Sequence, residues 1–369
     1  MVRIGLMAKR NFVADRRHFL AGLGAAASVS IMPRIGCAQE PQGGLQGGPQ
    51  RLALQAREAA INLRPGQPDA QIWSLQATPP TLRFKPGQLD VAFQNDLPVP
   101  AVLDWHGIDG APSAEPLTGQ APLAPGANAR FAGALRRPGT LFCDLRLLGD
   151  TQARPSRPLA LVVEENDPPT VDRDEVFLIE DWRLRADGSV IAPGNDAQDA
   201  AAVYTVNGQT IPHIEVQSRQ RLRLRLINGC QRAVIAVKFE GFDVRVLALD
   251  GAPAEPFPAR NGAVVLAPGG RADILIDITA APGTAAPILL HDGKEARPIA
   301  QLVTSAEPPV RPALLPAAPA LPATGLPAQL DLKNALRVDL PLGGGEWVTP
   351  QKFAASTAPA FQARTGRTI

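Results

Sequence analysis

The residues best placed to do chemistry lie in two short stretches. The first is Leu103-Asp104-Trp105-His106-Gly107, which follows a strand-like run from Leu89 to Leu97. The second, about 35 residues on, is Gly139-Thr140-Leu141-Phe142-Cys143-Asp144-Leu145-Arg146-Leu147-Leu148-Gly149-Asp150. If the fold sets these stretches side by side, Asp104, His106, Asp144 and Arg146 converge. One imidazole and two carboxylates can hold a divalent ion, and such donors suit Zn²⁺ or Mn²⁺. A permanent guanidinium in the same place favours a closed network instead, with Arg146 on one carboxylate and His106 hydrogen-bonded to the other. The network is the expectation, and a single metal at His106 is the alternative.

The elements that must position these residues are strands. The chain has 369 residues, with 38 Pro and 33 Gly punctuating short β-type runs. That pattern reads as an all-β protein of two or three domains. Residues 51–165 hold several short strands at roughly ten-residue spacing, the pattern of a Greek-key sandwich or barrel. Asp167-Pro168-Pro169 reads as a linker. Residues 174–305 repeat the strand pattern. They include Leu222-Arg223-Leu224-Arg225-Leu226, which alternates Leu on one face with Arg on the other. The Arg face over residues 219–225 reads as solvated. Residues 306–335 form a Pro/Ala/Leu-rich linker.

The frameworks of these segments resemble the multicopper oxidase family. The first two stretches are similar to the copper-ligand segments of its first cupredoxin domain, which read His-Trp-His-Gly and Gly-Thr-Phe-Trp-Tyr-His-x-His. Asp104 stands at the first histidine position, and Asp144 and Arg146 stand at the second pair, so His106 is the sole retained ligand position. Asp181-Trp182, Val206-Asn207-Gly208 and Leu266-Ala267-Pro268-Gly269-Gly270-Arg271 are similar to motifs of the middle domain. In the family that domain binds no copper. The resemblance thus implies tandem cupredoxin-like β-sandwiches and a copper-binding oxidoreductase ancestry. Degenerate ligand positions go with that ancestry, so copper is not expected to bind and no catalytic residue is assigned. His213 and His291 lie in the second domain and read as turn or surface residues. Cys143 and Cys230 read as small buried apolar side chains.

Residues 1–38 read as a twin-arginine export signal. Arg16-Arg17-His18-Phe19-Leu20 precedes a weakly apolar run to Met32, with Ala38 as the cleavage point. That run is too short to anchor the mature chain in a bilayer. Residues 39–50 read as a Gln/Gly/Pro-rich linker, and the mature chain is expected in the periplasm. Residues 336–369, with Trp347 and Phe361, resemble the opening of the family's third domain, which would need about 100 further residues to complete. This stub is expected to be loosely packed past about residue 306 and to promote self-association through open strand edges.

Other function classes find no support. Net charge is +2, which gives no electrostatic case for nucleic acid. Gly343-Gly344-Gly345 lacks the Lys-Ser/Thr of a phosphate loop, and no Gly-x-Ser-x-Gly elbow occurs. Three readings remain: a degenerate oxidase relative, a non-catalytic periplasmic interaction protein, and a truncated gene product. Copper-free superfamily members that serve the division machinery are the resemblance behind the second.

Overall fold

The computed structural model describes residues 48–78, 82–108, 122–147, 154–193, 198–230 and 233–323, with short pieces at 332–333 and 335–337, and of Arg146 and Leu147 only the backbone is described. The export-signal reading and the residues from 338 onward, Trp347 and Phe361 among them, lie outside the described residues. All described residues fall in one compact unit, Leu45–Ile369. The all-β expectation holds, with two sheets built before residue 165 and two after it.

The first part of the chain gives β1 (Gln50–Ile61), β2 (Ala70–Thr78), β3 (Arg83–Phe84), β4 (Gly87–Asn95), β5 (Ala101–His106), β6 (Asn128–Leu135), β7 (Gly139–Leu147), β8 (Ser156–Arg157) and β9 (Leu159–Val163). They pair as one sheet of order β6-β4-β1-β2-β8 and a second of order β3-β9-β7-β5. Alternation drives the packing. In β1, Leu52, Leu54 and Ala56 are buried while Arg51, Ala53 and Arg57 are exposed. The buried set joins Phe93, Leu103, Trp105, Cys143 and Leu161 in one core between the sheets.

The second part gives β10 (Arg173–Leu184), β11 (Ala201–Val206), β12 (His213–Val216), β13 (Arg221–Asn228), β14 (Ile235–Phe239), β15 (Val244–Leu249), β16 (Ala252–Pro258), β17 (Ala263–Leu266), β18 (Arg271–Asp277), β19 (Ala285–His291) and β20 (Ala296–Thr304). Their sheets run β11-β10-β13-β18-β15-β16 and β12-β20-β19-β14-β17. Leu222, Leu224 and Leu226 of β13 enter the core between them.

The other face of β13 corrects the sequence reading. Arg221, Arg223 and Arg225 are 4 %, 0 % and 0 % exposed, so this is not a solvated face. The first sandwich covers its middle and far end, where Phe142 packs on Leu178 and Ile227. A second seam joins Ile61, Leu63 and Ile72 to Trp182 and Leu184. Period-2 alternation identifies two different faces, but polar residues on one of them do not prove that water covers it.

The segment after β20 narrows the loose-packing expectation. Residues 306–323 are mostly exposed and carry no regular structure, yet they are docked as a strap across the near end of β13. Leu321 and Ala318 lie against Leu247, Ala248 and Leu275. Arg219 donates to the carbonyls of Arg311 and Pro312. Arg221 donates to Leu315 O at 3.0 Å and Pro316 O at 2.7 Å, and its other donors form a fork on Asp277 at 2.7 Å each. Prolines interrupt the N–H groups of this segment but not its carbonyls, so it joins no sheet ladder and arginine side chains supply donors to it.

Candidate functional site

β5 and β7 form an antiparallel pair in which Asp104 faces Asp144 and His106 faces Phe142. Residues two apart share a face, so Asp104, His106, Phe142 and Asp144 all lie on the face turned away from the first sandwich's core. Trp105, Cys143 and Leu145 point inward, where they are at most 8 % exposed. The structure therefore brings three of the four sequence-predicted positions onto one surface. The side chain of Arg146 lies outside the described residues, although its backbone pairs with Val102.

His106 is committed to packing. Its ring lies 4.8 Å from that of Phe142. Its Nε2 is 3.4 Å from Asp104 Oδ2, a charge-pairing distance without the alignment of a hydrogen bond. The opposite side of the ring meets Gly269 of the second sandwich, where a Cβ would lie 3.0 Å from the imidazole carbon between the nitrogens. Gly269 has φ +75°, so this close approach suits glycine alone. Asp144 Oδ1 accepts from its neighbour's amide, Leu145 N, at 2.8 Å and from Ser156 Oγ at 3.4 Å.

These donors do not fit the copper that the family resemblance implies. Copper that cycles between oxidation states takes imidazole, thiolate or thioether; here one imidazole stands with two carboxylates. Cys143 offers no thiolate, because burial, and then Asp144 and Asp104, push its thiol well above the usual range. Among the described residues, no group of three His, Cys, Asp or Glu side chains could hold a metal ion. His213 and His291 are exposed, as expected for turn or surface positions, and His291 Nδ1 accepts from Gly293 N at 3.0 Å.

The charged cluster that sequence reasoning missed lies next door. Arg223 forms a fork on Glu165 (3.0 and 2.6 Å) and reaches Asp273 at 2.6 Å. Arg225 forms a second fork on Asp174 (2.6 and 2.8 Å) and touches Glu165 and Asp273 at 3.3 and 3.2 Å. Thr140 Oγ1, from the second candidate stretch, donates to Asp273 at 2.6 Å and accepts from Arg225 at 3.2 Å. Arg83 reaches Asp174 from the first sandwich at 3.4 Å. The set thus balances the cations Arg83, Arg223 and Arg225 against the anions Glu165, Asp174 and Asp273. Burial opposes ionisation of Glu165 and Asp174. The arginines prevail, Arg223 at Glu165 and Arg225 at Asp174, and hold both carboxyls below their usual range. Within this cluster Arg223 Nε is buried without an acceptor.

Arg271 extends this seam to His106. It donates to Thr140 O at 2.9 Å, Gly269 O at 2.8 Å and Asp250 O at 3.1 Å, and its guanidinium sits over Gly107. The two stretches singled out in sequence therefore dock on Gly269–Asp273 of the other sandwich. Their residue types fit an interface better than a redox centre. The signal that could have revealed this was the excess of forked cations in a strand whose Leu face was already committed to a core.

Comparison with known proteins places these features in a family context. A family model described as multicopper oxidase matches residues 173–285. The multicopper oxidase MmcO of Mycobacterium tuberculosis is 26% identical over 278 residues, covering 64% of this chain and 53% of that protein. Laccase-1 of Thanatephorus cucumeris is 25% identical over 227 residues, covering 53% of this chain and 38% of that protein. The chain thus spans about half or less of the length of these curated relatives. Among solved structures, a multi-copper oxidase from Pseudomonas thermotolerans superposes with a TM-score of 0.65 at 25% identity, covering 79% of this chain and 71% of that one. Lac15 from a marine microbial metagenome gives 0.61 at 27% identity, covering 78% and 74%. The resemblance to multicopper oxidases drawn from the framework motifs holds.

Proposed function

We propose that this chain is a multicopper-oxidase-like protein in which the ligand surface of the first sandwich has become a docking surface for the second. On this reading it performs no copper redox chemistry at that surface. The observation that carries the reading is the state of His106. The one retained imidazole is wedged between Phe142, Asp104 and Gly269, with carboxylates at the neighbouring ligand positions. Nε2 is buried beside the Asp104 carboxylate, so a copper ion there would find too few soft donors.

The test is copper titration of the purified full chain, followed by elemental analysis and a phenol oxidation assay. We expect less than about one copper per chain, and the same value for His106→Ala, since no built site is lost. One or more tightly bound copper ions lost in His106→Ala, or phenol turnover by the copper-loaded chain, would sink the reading.

The same proposal places the working protein in the periplasm as a non-catalytic component, exported through Arg16-Arg17. Support comes from the sequence pattern of residues 1–38. Fractionation of cells expressing the chain should recover a shortened form in the periplasm. The paired change Arg16→Lys and Arg17→Lys should leave the full-length form in the cytoplasm. Periplasmic recovery of the paired variant would refute this route.

A further inference from the structure

A groove of about 640 Å³ lies between the two sandwiches, and His106 is not among its lining residues. Among the described residues the charged side chains of its lining are Arg57, Arg83 and Arg157; the carboxylates that pair with Arg83 and Arg157, Asp174 and Glu180, lie behind the lining. Register places two of these. Arg57 on β1 pairs with Ser74 on β2, and Ser74 pairs with Arg157 on β8. The two guanidinium-bearing strands therefore flank the Ser74 hydroxyl on one sheet face, about 10 Å apart at ordinary strand spacing.

Two of the arginines are held from outside the groove. Arg157 Nε donates to the buried Glu180 at 2.6 Å, and Glu180 is fixed in turn by Thr205 Oγ1 and Gly208 N at 2.8 Å each. Arg83 is tethered by Asp174, through its carbonyl at 2.7 Å and its carboxylate at 3.4 Å. Each tether uses part of a five-donor fork and leaves other donors over. Arg57 is exposed and has no carboxylate partner among the described residues. The rest of the wall is apolar, with Ile72, Leu82, Val176 and Leu178 prominent. An apolar cleft of this size at a domain junction, with a few fixed polar groups of one sign, has the build of a small-molecule site.

We propose that this groove binds a small organic anion: a carboxylate or phosphate head set among Arg57, Ser74 and Arg157, with an apolar body along Ile72, Val176 and Leu178. Arginine forks match the planar oxygens of a carboxylate and the faces of a phosphate. A cationic ligand would be repelled, and a neutral one would gain only the weaker, uncharged hydrogen bond. The site stands apart from His106 and does not depend on the copper reading.

The test is calorimetric titration of the full chain with 4-phenylbutyrate, 4-phenylbutyl phosphate, 4-phenylbutanol and 4-phenylbutylamine. At least one of the two acids should bind, and more weakly as salt is raised; whichever binds tighter identifies the head group. The alcohol should bind at least tenfold more weakly and the amine not at all. Arg57→Gln, a surface change expected to leave the melting temperature in place, should weaken the acids about tenfold or more, the usual loss of a hydrogen bond to a charged group. Equal binding of alcohol and acid, no binding of either acid, or unchanged affinity in a folded Arg57→Gln would overturn the proposal. Should that variant fail to fold, the acid, alcohol and amine series on the native chain still decides it.

Discussion

Asp104 and Asp144 face each other directly across the β5–β7 ladder. Like charges in direct opposition destabilise a sheet unless neighbours neutralise them. His106 at 3.4 Å from Asp104, and the Leu145 amide and Ser156 hydroxyl on Asp144, belong to that neutralisation. Opposed Cβ atoms in such a pair lie only about 5 Å apart, so two imidazoles placed there would converge with His106.

That geometry permits a gain of function. The double change Asp104→His and Asp144→His should give a chain that takes up about one copper more than the native chain, because three imidazoles then share one sheet face. Electron paramagnetic resonance of the Cu²⁺-loaded variant should show nitrogen coupling. An unloaded double variant that folds normally would mean that the second sandwich seals this face against metal.

The buried charge network makes a different prediction. Removing one member of a buried, fully paired set leaves its partner charged and unpaired. Asp273→Asn, which takes an acceptor from Arg223, Arg225 and Thr140 together, should lower the unfolding free energy by about 3–5 kcal/mol. Gln88→Ala on the exposed face of β4 should change it by less than about 0.5 kcal/mol. Urea unfolding of both variants measures the contrast, and equal small effects would show that the network adds nothing.

Acid should act through the same groups. Glu165 and Asp174 have folded pKa values below their usual range, held there by Arg223 and Arg225 against the penalty of burial. The unfolded carboxyls titrate near their ordinary values, about 4.3 and 3.9. Below those values the unfolded chain takes up protons that the folded chain refuses, so stability is fully present at neutral pH and falls as pH drops below about 5. Glu165→Gln should show a shallower acid limb. An acid limb of the same slope in both chains would assign acid unfolding to other groups.

The strap over β13 can be removed. A chain ending at Ser305 would uncover Leu247, Ala248 and Leu275 and leave Arg219 and Arg221 without their carbonyl acceptors. The expected loss is about 2–4 kcal/mol of stability. In the native chain the Val310 amide, bonded to Ser218 O at 3.1 Å, should exchange slowly. Fast exchange at Val310 together with an unchanged stability on truncation would restore the loose-tail expectation.

Much of the fold was legible in sequence because its strands carry their own alternation. β4 and β13 fall where the strand-like run from Leu89 to Leu97 and the Leu/Arg alternation of Leu222–Leu226 pointed. β16 and β20 were hidden by proline. Pro253, Pro256 and Pro258 lie in β16, an edge strand where a missing N–H goes unfelt, and Pro298 of β20 sits where the register with β19 slips. The candidate site was legible as a set of positions but not as a surface. Nothing local to Asp104 or Asp144 says that Gly269 and Arg271, more than 120 residues on, will cover the same face. The role of Arg223 and Arg225 was illegible for the same reason. Their partners Glu165, Asp174 and Asp273 come from a linker and two further strands.

The bond from Thr140 to Asp273 has a consequence for how the molecule melts. Asp273 sits on β18 between β13 and β15, at the centre of the second sandwich's larger sheet, and Thr140 opens the central strand pair of the first. Neither sandwich can lose its middle strands without stranding charged or hydroxyl groups of the other in an emptied seam. The two halves should therefore denature as one calorimetric unit, with a van't Hoff enthalpy matching the heat absorbed, where a chain of independent beads would show two separate peaks.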